Sequence, residues 1–214
     1  MGIDAALAFC YHDKDIIHIY IARQMTEKGS TYMKKDWVRT LLTDCITRRG
    51  PIEILRKKLD APPLCCVPLL MSEKLVLVVP YVDFQPDGYE VIRLRDISSI
   101  RADERAAFHE HIMTSEGLLE ALYIPPVSLE SFSSLLTDLF AQGEPVIVSG
   151  KEDLLLGTIE KAGKKKLCVR YIDGMGRVDE DLTRLPYDEI TSVAFGNRYL
   201  KLVVQYAEAA PEEE

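Results

Sequence analysis

The sequence predicts a mainly β protein with added helices, organised as two tandem small barrels of one helix and five strands, the N-terminal copy degenerate. Three observations carry this. Residues 145–206 hold short runs of Val, Ile, Leu and Tyr separated by turn residues, the pattern of consecutive antiparallel strands. A stripe of Leu129, Phe132, Leu135, Leu136, Leu139 and Phe140 at helical spacing precedes them. The tetrapeptide Leu41-Leu42-Thr43-Asp44 recurs as Leu135-Leu136-Thr137-Asp138, each followed by a proline, Pro51 or Pro145.

In the C-terminal copy, Ser128 is placed to cap the helix, and Gly143 with Pro145 ends it. The first strand is read at Pro145–Ser149. The second runs Leu154–Glu160, with Gly157 where a strand bends sharply or another backbone comes close. Ala162, Gly163 and Lys164 make a hairpin turn into the third strand, Lys166–Asp173. Gly174-Met175-Gly176 breaks it. A fourth strand spans Leu182–Phe195, interrupted at Pro186, and Gly196-Asn197 turns the chain into a fifth, Tyr199–Gln205. Five short strands without a long crossover suit a small barrel, which closes its sheet and removes the edges.

The N-terminal half repeats this order. Ile17, Ile19 and Ile21 alternate as in a strand, and Asp36 is placed to cap a helix bearing Trp37, Val38, Leu41, Leu42, Cys45 and Ile46, which Gly50 and Pro51 terminate. Val79, Tyr81, Val82 and Asp83 answer to Val169, Tyr171, Ile172 and Asp173; Leu94, Ile97, Ser99 and Ile100 answer to Leu185, Ile190, Ser192 and Val193. The prolines of KKLDAPPLCCVPLL cannot donate to a central ladder, so the early strands here are expected at an edge or interrupted. In place of a fifth strand the chain runs RADERAAFHEHIM, a helix with Phe108 and Ile112 four apart, and the Ile17–Ile21 strand is expected to fill the vacant edge. The expected domains are 1–113, a linker at 114–126 containing Pro125-Pro126, the second copy at 127–207, and a disordered acidic tail at 208–214.

A helix followed by five strands, with Gly157 and Ile159 in one strand and Val193, Gly196, Asn197, Tyr199 and Leu200 around a Gly-Asn turn, resembles the Sm-like family of SH3-like small barrels. The ending RLPYDEITSVAFGNRYL is also similar to that of small bacterial proteins of unknown function. The Sm-like resemblance implies edge-strand pairing into rings or dimers. With two barrels in one chain, edges are satisfied internally, so a monomer or dimer is expected rather than a six- or seven-membered ring. It also implies an RNA-binding pocket, yet the family's Asp and Asn fall on Gly163 and Leu167, and its Arg on Phe195. Any RNA is therefore expected on another surface.

Composition sets the remaining bounds. With 47% apolar and 28% charged residues in 214, a full core is available. The N-terminus has no basic leader, no run approaches membrane length, and the five cysteines, Cys10, Cys45, Cys65, Cys66 and Cys168, form no C-x-x-C pair, which points to reduced thiols in the cytoplasm. Between Arg23 and Lys58 ten basic residues stand against four acids, in a chain of formal charge −8. Arg39, Arg48, Arg49, Arg56, Lys57 and Lys58 are the candidate anion or nucleic-acid surface. A pI of 5.1 opposes nonspecific nucleic-acid affinity, so a protein partner or self-association is favoured over RNA. Candidate loop contacts are Asp173, Arg177, Phe195, Asn197, Arg198 and Tyr199.

Nothing has the spacing of a known chemistry. His109 and His111 on a helix point to different faces. Cys65-Cys66 sits in an apolar run and reads as core. Asp173-Gly174-Met175-Gly176-Arg177 reads as a hairpin loop, and Asp179, Glu180 and Asp181 as its solvated rim. No catalytic set, metal site or cofactor is assigned. The sequence therefore reads as an intracellular, non-enzymatic binding or assembly module; RNA binding through the basic surface comes second, and a metal-dependent or hydrolytic enzyme third.

Overall fold

The computed structural model describes residues 31–59, 61–150 and 154–207, with side chains from residue 36 onward. The strand expected at Ile17–Ile21 and the acidic tail at 208–214 lie outside the described residues. Residues 40–214 form one compact unit and residues 1–39 another, of which the described part is the start of helix α1, Thr31–Arg48.

The fold is mixed α/β, with four helices and an eleven-stranded, mostly antiparallel sheet among the described residues. After α1 come β1 (Ile52–Leu55), β2 (Leu64–Met71), β3 (Leu75–Val82), β4 (Gln85–Pro86), β5 (Tyr89–Arg93) and β6 (Ser99–Arg101), then α2 (Glu104–Ser115). α3 (Phe132–Ala141) opens the second half, followed by β7 (Val146–Ser149), β8 (Leu154–Ala162), β9 (Lys166–Ile172), β10 (Val178–Pro186), β11 (Ser192–Phe195) and α4 (Arg198–Ala207). The strands lie in the order β10-β9-β8-β7-β11-β5-β3-β2-β1-β6, with β4 paired to β3.

This corrects the expectation of two closed barrels: the sheet is open. Closure of each half would pair β5 with β6 and β10 with β11. Instead β5 and β11 take each other's edges, Val91 facing Val193 and Tyr89 facing Phe195, so one pairing between the halves stands where two closing pairings would, and β6 and β10 lie at the ends of the strand order.

Burial explains the two strand chemistries. β8 and β9 alternate: Leu155, Ile159, Leu167 and Val169 are buried and their neighbours are partly or fully exposed, as expected for strands with one covered face. In β2 and β3 both faces are covered. Val67, Leu69, Leu75, Leu77 and Val79 belong to the main core with Met113, Leu119 and the α3 residues Leu135, Leu136 and Leu139, while Cys66, Val76 and Val78 are buried outside that cluster. β2 is therefore internal, lying between β1 and β3, so of the edge position or interruption expected from its prolines it is the interruption that occurs. The sheet accommodates Pro68 because it sits at a register shift between Pro68 and Leu70, where the ladder is already interrupted.

Other differences have local causes. The run read as a fourth strand is two strands, β10 and β11. The first half does have its own strand after the Leu94–Asp96 turn, β6, and α2 follows it. α1 begins before Asp36, and α3 is capped by Ser131 rather than Ser128, its hydroxyl accepting from Ser134 N at 3.1 Å. Tyr199–Gln205 is helical, not a fifth strand: Asn197 Oδ1 accepts from Leu200 N at 2.8 Å and starts α4. Gly157 behaves as expected, since a Cβ there would lie 1.9 Å from the Arg170 carbonyl oxygen across the β8–β9 pair.

Candidate functional site

α4 emerges from Gly196, whose φ of +71° sets the turn out of β11. Its first turn is anchored twice, by the Asn197 cap and by Arg198 N donating to Asp87 Oδ1 at 2.8 Å. Leu200 and Ala207 face inward and are buried. Tyr199, Leu202, Val203 and Tyr206, at the i, i+3, i+4, i+7 spacing of one helix face, line a groove of about 370 Å³ with Met175 and Gly176. Tyr206 is 67% exposed and Met175 74%.

The groove's other wall is the β9–β10 turn. Asp173 Oδ1 accepts from Met175 N at 2.8 Å and Arg177 N at 3.0 Å, and its Oδ2 accepts from Arg177 Nε at 2.8 Å. The backbone bond from Arg177, then its side-chain bond, hold the Asp173 carboxyl below its usual range. Asp173 and Arg177 thus bind each other, and the turn they close presents Met175 outward. β10 continues from this turn exposed through Leu182, and its far side pairs with no described strand; the same holds for the far side of β6 at the other end of the sheet.

Of the remaining loop candidates, Phe195 is 3% exposed and stacks on Tyr89, so it is a core residue. Asn197 is the cap, Arg198 is exposed beside Asp87, and Tyr199 borders the groove. The basic residues do not form one free surface. Arg48 pairs with Asp44 at 3.1 Å and with Glu110. Arg49 Nη1 donates to the carbonyls of Leu119 and Leu122 at 2.9 and 2.8 Å. Arg56 is buried with Nη2 3.3 Å from Glu90 Oε1, and Arg39 is half-buried. Lys57 and Lys58 are exposed in a 3-10 turn.

A second, smaller cavity of about 70 Å³ is lined by residues including Cys65, Tyr81, Arg105 and His109. Tyr81 Oη lies 2.9 Å from His109 Nδ1. Burial pushes the Cys65 and Cys66 thiols up and the His109 imidazole down, which leaves neutral groups and no activated thiolate. No cluster of His, Cys, Asp or Glu among the described residues could hold a metal ion, and no helix among them is long and apolar enough to cross a membrane.

The feature sequence reading missed is the α4 face. Its signal, apolar residues at 199, 202, 203 and 206, was present, but the same run also alternates as a strand does. No protein-family model, curated protein or solved structure matches the chain.

Proposed function

We propose that this protein is an intracellular, non-enzymatic assembly module made of two tandem copies of a Sm-like helix-plus-five-strand unit, which binds a protein partner through its open strand edges. The observation that carries the reading is the β5·β11 junction: it joins the halves edge to edge, and it leaves one strand edge of each half, β6 and β10, without a described partner. An unpaired edge is a template for another strand, and main-chain pairing is a general mode of protein recognition.

Support for two copies comes from bonds that recur at matching places. Both halves order their strands alike, β5-β3-β2-β1-β6 and β10-β9-β8-β7-β11. Ile54 faces Ile100 as Val148 faces Val193. The register shift after Pro68 recurs after Ile159, which aligns Val78 with Val169, one residue from the spacing read in the sequence. Ser98 N donates to Leu55 O at 2.7 Å and Thr191 N to Ser149 O at 2.8 Å. α1 and α3 end in the same motif: Gly50 N donates to Cys45 O and Glu144 N to Leu139 O, with Arg49 and Gly143 at φ +53° and +66° in the left-handed position. Asp103 and Asn197 cap the helices that follow β6 and β11.

The RNA reading finds less support, because Arg48, Arg49 and Arg56 are occupied by partners within the chain. The test is a photo-reactive amino acid at Leu182 on β10, with one at the exposed Glu160 as control, irradiated in native cytosol. A discrete protein adduct from position 182 and none from 160 is expected. Equal labelling, or an adduct that nuclease removes, would count against strand-edge assembly.

A further inference from the structure

We infer that the β10 edge of one chain pairs antiparallel with the β6 edge of a second copy, both edges being without a partner among the described residues, head to tail, with Arg101 opposite Thr183, Ile100 opposite Arg184 and Ser99 opposite Leu185. The inference rests on the two-copy reading and names the partner that reading leaves open.

The register comes from the junction inside the chain. There Ser192 faces Ile92, Val193 faces Val91 and Ala194 faces Glu90. β10 corresponds to β5, because Leu185 faces Leu167 of β9 as Ile92 faces Val76 of β3. β6 corresponds to β11 through the facing pairs Ile54–Ile100 and Val148–Val193. Transferring each β5·β11 pair gives the stated β10·β6 pairs.

Two properties of the free edges fit a second copy. Leu182 occupies the position that Tyr89 holds in β5; Tyr89 is covered by Phe195 inside the chain, whereas Leu182 is 37% exposed and would be covered by the copy's Ala102. The charges are complementary. β10 exposes Asp179, Glu180 and Asp181, whereas the end of β6 exposes Arg101, which also pairs with Glu53 at 2.7 Å, and the start of α2 exposes Arg105 beside Glu104 and Asp103, the latter engaged as the helix cap. In the inferred register Arg101 lies opposite Thr183, and the acids 179–181 precede Thr183 in the irregular stretch of β10 between Val178 and Leu182. The same acids repel a second β10, which disfavours edge-to-edge pairing of like strands and selects β6. Because the contact uses two different surfaces, every added copy brings a free edge of each kind until a ring closes.

The experiment is sedimentation or light scattering of the full chain over a concentration series, with circular dichroism to confirm folding. The wild type is expected to exceed the 24.2 kDa of one chain as concentration rises. Asp181→Arg with Thr183→Lys, and separately Arg101→Glu with Arg105→Glu, should each raise the midpoint concentration about tenfold or more through like-charge contact. An equimolar mixture of the two folded variants should recover the wild-type midpoint, because each reversed edge then meets its complement. A wild type that keeps the mass of one chain throughout, or a mixture no better than its separate components, overturns the inference. A single-chain mass together with a foreign protein adduct at position 182 would remove this inference and leave strand-edge assembly standing.

Discussion

Tyr89 and Phe195 stack across the junction of the two halves, ring centroids 5.3 Å apart and planes inclined by 25°. They are also directly opposed in the β5·β11 ladder. Phe195→Ala should therefore cost about 3–5 kcal/mol in chemical denaturation, the range for emptying a buried aromatic site, with Phe195→Leu losing much less. A Phe195→Ala chain of wild-type stability would show that the junction is not held by this pair.

Arg49 does more than its neighbour. It occupies the left-handed position that ends α1, where the second half has Gly143, and its guanidinium holds the carbonyls of Leu119 and Leu122. Arg49→Ala should cost about 1–3 kcal/mol by leaving acceptors unmet, and should open the 117–125 segment to protease. Arg48→Ala, which breaks largely exposed ion pairs, should cost under about 1 kcal/mol. Equal losses would refute the distinction.

Two glycines should respond differently to alanine. At Gly157 the new methyl meets the Arg170 carbonyl, and overpacking between paired strands should cost about 1–3 kcal/mol or more. At Gly143 no atom lies within 4 Å of the added carbon, so only the left-handed strain of roughly 1–2 kcal/mol applies. Thermal denaturation of the two variants checks the order.

His109 makes stability fall in mild acid. Burial, then the nearby Arg105 charge, lowers its pKa below the ordinary 6.5, so the unfolded chain takes up a proton before the folded one does. The contribution of this residue is present above that value and declines as pH falls through it, until the folded form also protonates. His109→Asn should flatten this part of the pH profile of unfolding; an unchanged slope would assign it to another group.

The sequence made β7, β8, β9 and α3 legible because each has one covered face and a turn or cap at its ends; α2 forms where expected although Phe108 is exposed and only Met113 is buried. Leu167 and Val169 alternate with exposed neighbours, and Gly157 marks a close backbone approach. It misled where a third partner decides. The run YLKLVVQY carries Tyr199, Leu202, Val203 and Tyr206 at helical spacing and Leu200, Leu202, Val204 and Tyr206 at strand spacing. What settles it is the Asn197 cap and the occupation of both β11 edges by β5 and β7, a fact of the other half of the chain. The engagement of the basic residues is hidden for a similar reason: charge density is visible in sequence, but the carbonyls of Leu119 and Leu122 that hold Arg49 lie about seventy positions away.

The coverage of β3 on both faces imposes an order on biosynthesis. When the ribosome has released only the first half, Val67, Leu77 and Val79 lack the Leu119 and α3 side chains that complete their core. The emerging polypeptide then presents a wet apolar strand face, the kind of surface that aggregates or recruits a holding chaperone. The earlier half of the protein reaches its native state only after the later half has been translated.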